Sequence, residues 1–413
     1  MQYTQKRMPT IILQNAEYTN LLEVTPITLV INTKYYEVDT ATIVLPYDQW
    51  LNAVNTSKTL MASSYSHEWQ RIRDERTKSP TFFHNLSTGD YYYISKIHYS
   101  EQNNKRIVTF DCFTEDLFLN YSVINPISLT DPNTQGRRGA VGNYCHKLME
   151  DAQTGRASSF DIERRPLTLQ GTFSYAGNMT SFNVEPYANM GETVRSMLKL
   201  HEAGIHMRGD THKIDVFRGV DRTPFSGNNP IIFSQKFGNV YNVDIVTNKE
   251  HVRSVLIASA QFNGKHLETD TDTTALTIVT DSRTSEQGQV VDPQDFYIPY
   301  NLWETYKENL DMKLTQDQLN NMEANQFELL LANECSRQLH ETCNLITNVS
   351  FDVIGNSYTF GEDFNIGDLC QIELETFGIS QPMRVIDVME TWENNQYKVN
   401  YEFGNPLNQQ STY

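Results

Sequence analysis

Between Pro80 and Phe113 the chain alternates with a period of two, and this constrains its fold more than any other feature. Tyr91, Tyr93, Ser95, Ile97 and Tyr99 interleave with polar or smaller neighbours, and Ile107, Thr109, Asp111 and Phe113 interleave with Val108, Phe110 and Cys112. Successive side chains of a strand point to opposite faces, so the pattern reads as strands with one buried face. Ser87-Thr88-Gly89-Asp90 and Gln102-Asn103-Asn104 separate the runs with turn-forming residues. A three-strand meander over Pro80–Phe113 is expected. Earlier β-branched runs at Ile27–Ile31 and Val38–Pro46 add strands, so the first 120 residues read as β. Closing them into a small barrel would remove exposed edges.

Composition supports a β-rich chain. The 413 residues suffice for two or three domains. They include 22 Tyr, 20 Phe and 4 Trp, residue types that favour pleated, half-buried surfaces. Lys plus Arg is 33 and Asp plus Glu is 51, so the formal charge is 33 − 51 = −18. That balance disfavours a nucleic-acid footprint and an anionic membrane surface, both of which need clustered positive charge. No apolar run approaches 18 residues, so no membrane anchor is expected, and the first residues hold no signal-peptide core. Cys112, Cys145, Cys335, Cys343 and Cys370 are odd in number and widely spread, which argues against a disulfide scaffold and for synthesis in a reducing cytosol.

Beyond Asn125 the period changes. Ala140, Val141, Tyr144, Cys145, Leu148 and Ala152 share one helical face, predicting a helix over Gly139–Gln153. A second is predicted over Met190–Ala203, with Val194, Met197, Leu198 and His201 as its stripe. Asn189 and Glu192 form its capping box, and Gly204 stands at the C′ position. Ile205–Arg208 and Lys213–Phe217 read as a hairpin, and Asp221–Pro230 as a linker. Further strands are expected at Ile231–Phe233, Val243–Val246, Val252–Ala260, Leu276–Val279, Asn344–Val353, Leu369–Leu374, Met383–Glu390 and Tyr397–Phe403. A long helix is expected over Thr315–Glu341, with Phe327, Leu331, Cys335 and Leu339 as its seam.

No residue pattern points to catalysis, and no catalytic, cofactor-binding or metal-binding residues are assigned. Cys145 and His146 are neighbours, but adjacent helical positions point about 100° apart, and Cys145 belongs to the apolar stripe. Cys335, His340 and Cys343 lack a fourth zinc ligand, and Cys335 sits in the seam. Glu268, Asp270 and Asp272 lack the glycine-bearing pattern of a calcium loop and read as a solvated acidic stretch. Arg137-Arg138 and Arg164-Arg165 are pairs rather than patches, and no phosphate-binding glycine loop occurs. The residues alone leave three readings open: a structural protein, a cell-wall hydrolase whose carboxylates converge only in the fold, and a carbohydrate-binding adhesin that stacks sugars on its tyrosines.

Two segments carry a resemblance. Between Gly191 and Val246 a helix precedes a hairpin ending in an aromatic. Gly219, Asp221-Arg222-Thr223 and then Phe233-Ser234-x-x-Phe237-Gly238-Asn239-Val240 follow. Near the other end, Phe364-Asn365-Ile366-Gly367-Asp368 precedes a strand, followed by Met383-Arg384-Val385-Ile386-Asp387-Val388 and by Val399–Gly404. This order resembles the hub proteins of bacteriophage tail tips and baseplates, including the tail-associated (Tal-type) proteins. The resemblance implies a β-rich α+β fold of two β-barrels with helical and mixed α/β insertions. Residues 1–125 would be the N-terminal barrel and 126–230 an α/β insertion. Residues 231–413 would be a second barrel, with strands near 231–260 and 344–404 around an acidic and helical insertion at 261–343.

It also implies a function: a homotrimeric ring that closes the tail tube, with a central channel for DNA. Expected partners are the tail tube or distal tail protein and distal tip or fibre proteins. DNA would pass without specific binding and no cofactor would be needed. The place would be the virion tail, after assembly in the host cytoplasm. Longer relatives carry enzymatic extensions, whereas here Asn405–Tyr413 is a polar tail, so hydrolase activity is not expected.

Overall fold

The computed structural model describes residues 6–61, 67–102, 105–124, 138–154, 168–177, 179–181, 188–199, 201–208, 211–248, 255–262, 273–280, 305–309, 346–353, 358–394 and 396–404. The expected helix over Thr315–Glu341 lies outside them. So do Glu268, Asp270, Asp272, Cys335, His340, Cys343, Arg137, Arg164 and Arg165. The chain divides into two compact units. One comprises Met1–Val243, Ser350–Glu373 and Gln381–Phe403, and the other Asp244–Val349, Leu374–Ser380 and Gly404–Tyr413.

The first unit opens with β1 (Ile11–Asn15), β2 (Asn20–Val24), β3 (Thr28–Lys34), β4 (Thr40–Pro46), α1 (Tyr47–Leu60), α2 (Glu68–Lys78), β5 (Pro80–Asn85), β6 (Tyr91–Gln102) and β7 (Lys105–Thr114). The expected meander is present as β5, β6 and β7, paired antiparallel. Alternation sets its faces: β7 buries Val108, Phe110, Cys112 and Thr114 while the residues between them are partly exposed. Ile43 and Leu45 of β4 join Phe83, Phe110 and Trp50 in one core. Each such fully buried side chain contributes about 1.5–3 kcal/mol.

Two helices interrupt this β region, and neither is legible from periodicity. α2 (EWQRIRDERTK) has no apolar stripe, and α1 has no side-chain N-cap. α1 is held instead by tertiary contacts, burying Trp50, Ala53 and Ser57, with Trp50 Nε1 donating to Tyr99 Oη at 3.1 Å.

After a 3-10 segment at Glu115–Tyr121 come β8 (Arg138–Ala140), α3 (Val141–Thr154), β9 (Thr168–Leu169), β10 (Met179–Ser181), α4 (Met190–Lys199), β11 (Gly204–Arg208) and β12 (Lys213–Phe217). This region has its own core: Val141, Cys145 and Leu148 of α3 meet Val194 and Leu198 of α4 and Ile214 and Val216 of β12. Asn189 caps α4 as expected, accepting the Glu192 N–H at 3.1 Å. The helix stops four residues before the predicted end. Glu202, at φ +53°, makes the left-handed turn, and Gly204 already lies in β11. Its glycine answers a packing demand: a Cβ there would stand 2.5 Å from the Tyr35 carbonyl oxygen.

The remaining strands are β13 (Ile232–Ser234), β14 (Val240–Asn248), β15 (Val255–Phe262), β16 (Thr273–Thr280), β17 (Thr305–Asn309), β18 (Ile346–Val353), β19 (Leu369–Leu374), β20 (Ile379–Glu393) and β21 (Gln396–Gly404). In the second unit β15 pairs antiparallel with β16 and parallel with β17. Among the described residues one mainly antiparallel, 13-stranded sheet runs β14-β18-β21-β20-β3-β4-β7-β6-β5-β1-β2, with β13 and β19 attached through β20. The long β20 is the junction, its second half pairing antiparallel with β3 from Asp387–Lys34 to Glu393–Thr28. β13 runs parallel to β19, and Phe233 on β13 packs against Phe351, Phe364 and Phe403 with ring centroids 5.3, 5.5 and 5.1 Å away. No helix among the described residues is long and apolar enough to cross a membrane.

Candidate functional site: an ionic clasp beneath an exposed loop

The two segments singled out in the sequence meet at one place. Asp368 precedes β19, and its carboxylate is almost wholly buried. Oδ2 accepts from Arg222 Nε at 2.6 Å and from the Asn365 N–H at 3.0 Å, and Oδ1 accepts from the Val220 N–H at 2.7 Å. The backbones zip alongside: Leu369 N donates to Val220 O at 2.9 Å and Arg222 N to Leu369 O at 2.8 Å. This approach is possible because residue 219 is glycine. A Cβ there would lie 1.9 Å from the Gly367 carbonyl oxygen. Gly367 itself is at φ +84°, with Tyr35 ring carbons 2.3 Å from where its Cβ would be. Both glycines are therefore dictated by contact.

A second ionic layer lies beneath. Arg384 on β20 is buried, donates from Nη1 to Gly367 O, and donates from Nη2 to Glu202 Oε2 at 2.7 Å. Arg218 donates to the same Glu202 oxygen. Burial opposes ionisation of Glu202, but the two guanidinium groups outweigh it and hold the carboxyl below the usual carboxylate range. Tyr35 completes the layer, donating to Glu202 O at 2.9 Å while its Oη accepts the Gly219 N–H at 3.3 Å. Burial pushes the Tyr35 phenol up to about 12, against the pull of Arg384.

Arg222 also roots a hydrogen-bonded loop. Ile231 N returns to Arg222 O at 2.9 Å and closes it. Inside, Thr223 N donates to Asp221 Oδ1 at 2.9 Å, Ser226 Oγ to Thr223 O at 2.9 Å and Asn228 Nδ2 to Asp221 O at 2.7 Å. The segment read as a linker is thus an ordered loop. At its tip Phe225 is 99% exposed.

Chemically this arrangement holds rather than reacts, because both Asp368 oxygens are engaged by fixed donors. Cys145 is fully buried, and burial pushes its thiol up, away from the thiolate that a nucleophile needs. His146 turns away from it, donating from Nε2 to Gln170 O at 3.0 Å and packing on Phe173. Among the described residues no group of three or more His, Cys, Asp or Glu could hold a metal ion. The tyrosines of the meander divide: Tyr92 is buried, and Tyr99 is 54% exposed.

A cluster not foreseen from sequence joins the first strands to the β11–β12 turn. Glu115, buried, accepts from Tyr18 Oη at 2.5 Å and from His212 Nδ1 at 2.6 Å. Tyr91 packs against both rings. Tyr18 and His212 both take positive φ, at +58° and +52°. Residues 18, 115 and 212 share no periodic pattern, so no sequence signal could have grouped them.

The profile of the siphovirus ReqiPepy6 Gp37-like proteins matches residues 157–405. The chain belongs to the siphovirus ReqiPepy6 Gp37-like family. In this Gp37-like chain every clasp residue except Tyr35 falls inside the matched region, from Glu202 to Arg384. No curated protein matches the sequence. The fold is similar to that of the tail protein from Neisseria meningitidis MC58, at 9% identity over 96% of this chain and 97% of that one, with TM-score 0.50. It is equally similar to prophage tail protein gp18 from Listeria monocytogenes EGD-e, at 8% identity over 98% and 95% of the two chains, with TM-score 0.50. The Gp37-like chain therefore has a fold similar to that of these tail proteins.

Proposed function

We propose that this chain is the structural hub of a phage tail tip or baseplate. Three copies form a ring that closes the tail tube, joins the tube or distal tail protein to distal tip or fibre proteins, and leaves a central channel through which DNA passes. The protein is not an enzyme in this reading; it acts by geometry in the virion tail. Membership of a siphovirus family over residues 157–405 is the observation that carries it. A fold like that of tail proteins, one of them from a prophage, along 96–98% of the chain adds support.

Each chain contributes two barrels to the ring, residues 1–125 and the strands of 231–413, with 126–230 inserted between them. The packing of Phe233 against Phe351 and Phe403, on strands remote from β13 in the sheet order, supports such a curl. The formal charge of −18 per chain supports an acidic channel that repels the phosphate backbone and lets DNA slide.

Light scattering on the purified chain at several concentrations, with negative-stain images, tests the reading. A mass of three chains and ring-shaped particles are expected. A monomer at every concentration would overturn it.

A further inference from the structure

We infer that the Asp221–Pro230 loop is the knob by which one copy of this chain grips the next, with Phe225 inserted into the neighbour. The inference rests on the trimeric hub reading and names the contact that makes the ring.

Phe225 is 99% exposed, the highest value of any large hydrophobic side chain among the described residues; nearby Phe237 is 61% exposed, and Phe233 and Phe364 are fully buried. A phenylalanine wholly in water gives the folded monomer nothing, and it favours association with an apolar surface. The loop around it is not loose. Three side chains tie it internally, and Arg222 fixes its root to buried Asp368. Ordering this loop on contact therefore costs little additional entropy, which is the condition for an efficient anchor. Aromatic anchors that project into a partner commonly carry most of the affinity of an interface.

Charge identifies the partner as a second copy. Copies at −18 each repel one another, so they must meet where charge is low. Residues 223–235 contain no Asp, Glu, Lys or Arg, although one residue in five of the whole chain is charged. The charged pair at the loop's root, Arg222 and Asp368, is already internally neutralised. From Thr223 on, the knob is thus an uncharged stretch on an acidic protein, and the exposed Asp221 at its root accepts the Thr223 N–H. In a three-fold ring the knob enters a different surface of the next copy, because a cyclic contact of this kind is head-to-tail.

Two full-length variants test the inference. Phe225→Ser removes the ring from a side chain that packs on nothing, so the melting temperature of the monomer is expected to hold. The chain concentration at which the trimer is half dissociated should rise at least tenfold. Phe225→p-benzoylphenylalanine, irradiated in the purified protein, should yield a band of twice the chain mass. Where the wild type is trimeric, a trimer that persists unchanged in Phe225→Ser, or a p-benzoylphenylalanine variant that gives no such band, overturns the knob while leaving the hub intact. A wild type that is monomeric at every concentration overturns both.

Discussion

Arg222 Nε donates to Asp368 Oδ2 at 2.6 Å across 146 positions of sequence. Asp368 is buried and Arg222 mostly so. Removing one partner strands a buried charge, which costs far more than the pair itself contributes. Arg222→Ala is expected to lower unfolding stability by about 3 kcal/mol. Combined with Asp368→Asn, the loss should be smaller than the sum of the two single losses by about 1–3 kcal/mol. Urea denaturation of the four proteins measures both quantities; additive losses would mean that the clasp is not a unit.

The glycines divide by what surrounds them. At Gly219 a Cβ meets backbone that cannot yield, so Gly219→Ala should cost about 3 kcal/mol or prevent folding. Gly227 also has positive φ (+81°), but its Cβ would enter open space, so Gly227→Ala should cost only about 1 kcal/mol. Thermal melts of the pair discriminate contact from conformation.

Asp387 gives the folded chain a pH dependence. Burial pushes its carboxyl up to about 6 from 3.8, with Lys34 pulling the other way and Glu402 adding to the rise. The folded state therefore holds this proton more tightly than the unfolded chain does. The resulting stabilisation is full below about pH 4 and is lost as pH rises towards 6. Discounted for residual exposure, it is worth about 1–2 kcal/mol. Asp387→Asn should flatten that part of the pH profile and raise stability at pH 7.5 by about 1 kcal/mol. Denaturation midpoints of both proteins at pH 4.5, 6 and 7.5 provide the check.

Tyr35, which follows β3, ties the backbone at Glu202 and Gly219 together through its hydroxyl. Tyr35→Phe leaves the carbonyl of Glu202 without that donor and the Gly219 N–H without that acceptor. About 1–3 kcal/mol should be lost, read as a lower urea midpoint with unchanged slope.

Cys112, Cys145 and Cys370 are buried free thiols, each pushed up by burial. All three should resist alkylation in the native protein and react once denaturant is added. Peptide mapping by mass spectrometry would expose the error if any of them were modified under native conditions.

Elements whose pattern is local were legible in the order of the residues alone. Alternation marked β5, β6 and β7, the apolar stripe marked α3, and Asn189 marked the start of α4, because strand faces, helix faces and caps repeat over two to four residues. Leu369–Leu374 matches β19 residue for residue. α1 and α2 escaped because their stability comes from the sheet beneath them or from polar side chains, and neither leaves a periodic trace. What Gly204, Gly219 and Gly367 are for follows from the fold instead. Their roles depend on Tyr35 and on backbone from distant segments, and a sequence records a glycine without recording what approaches it. The same holds for Asp368 and Arg222, and for Glu115 with Tyr18 and His212. An ionic contact between distant residues follows from the path of the chain, so it becomes visible only once that path is known.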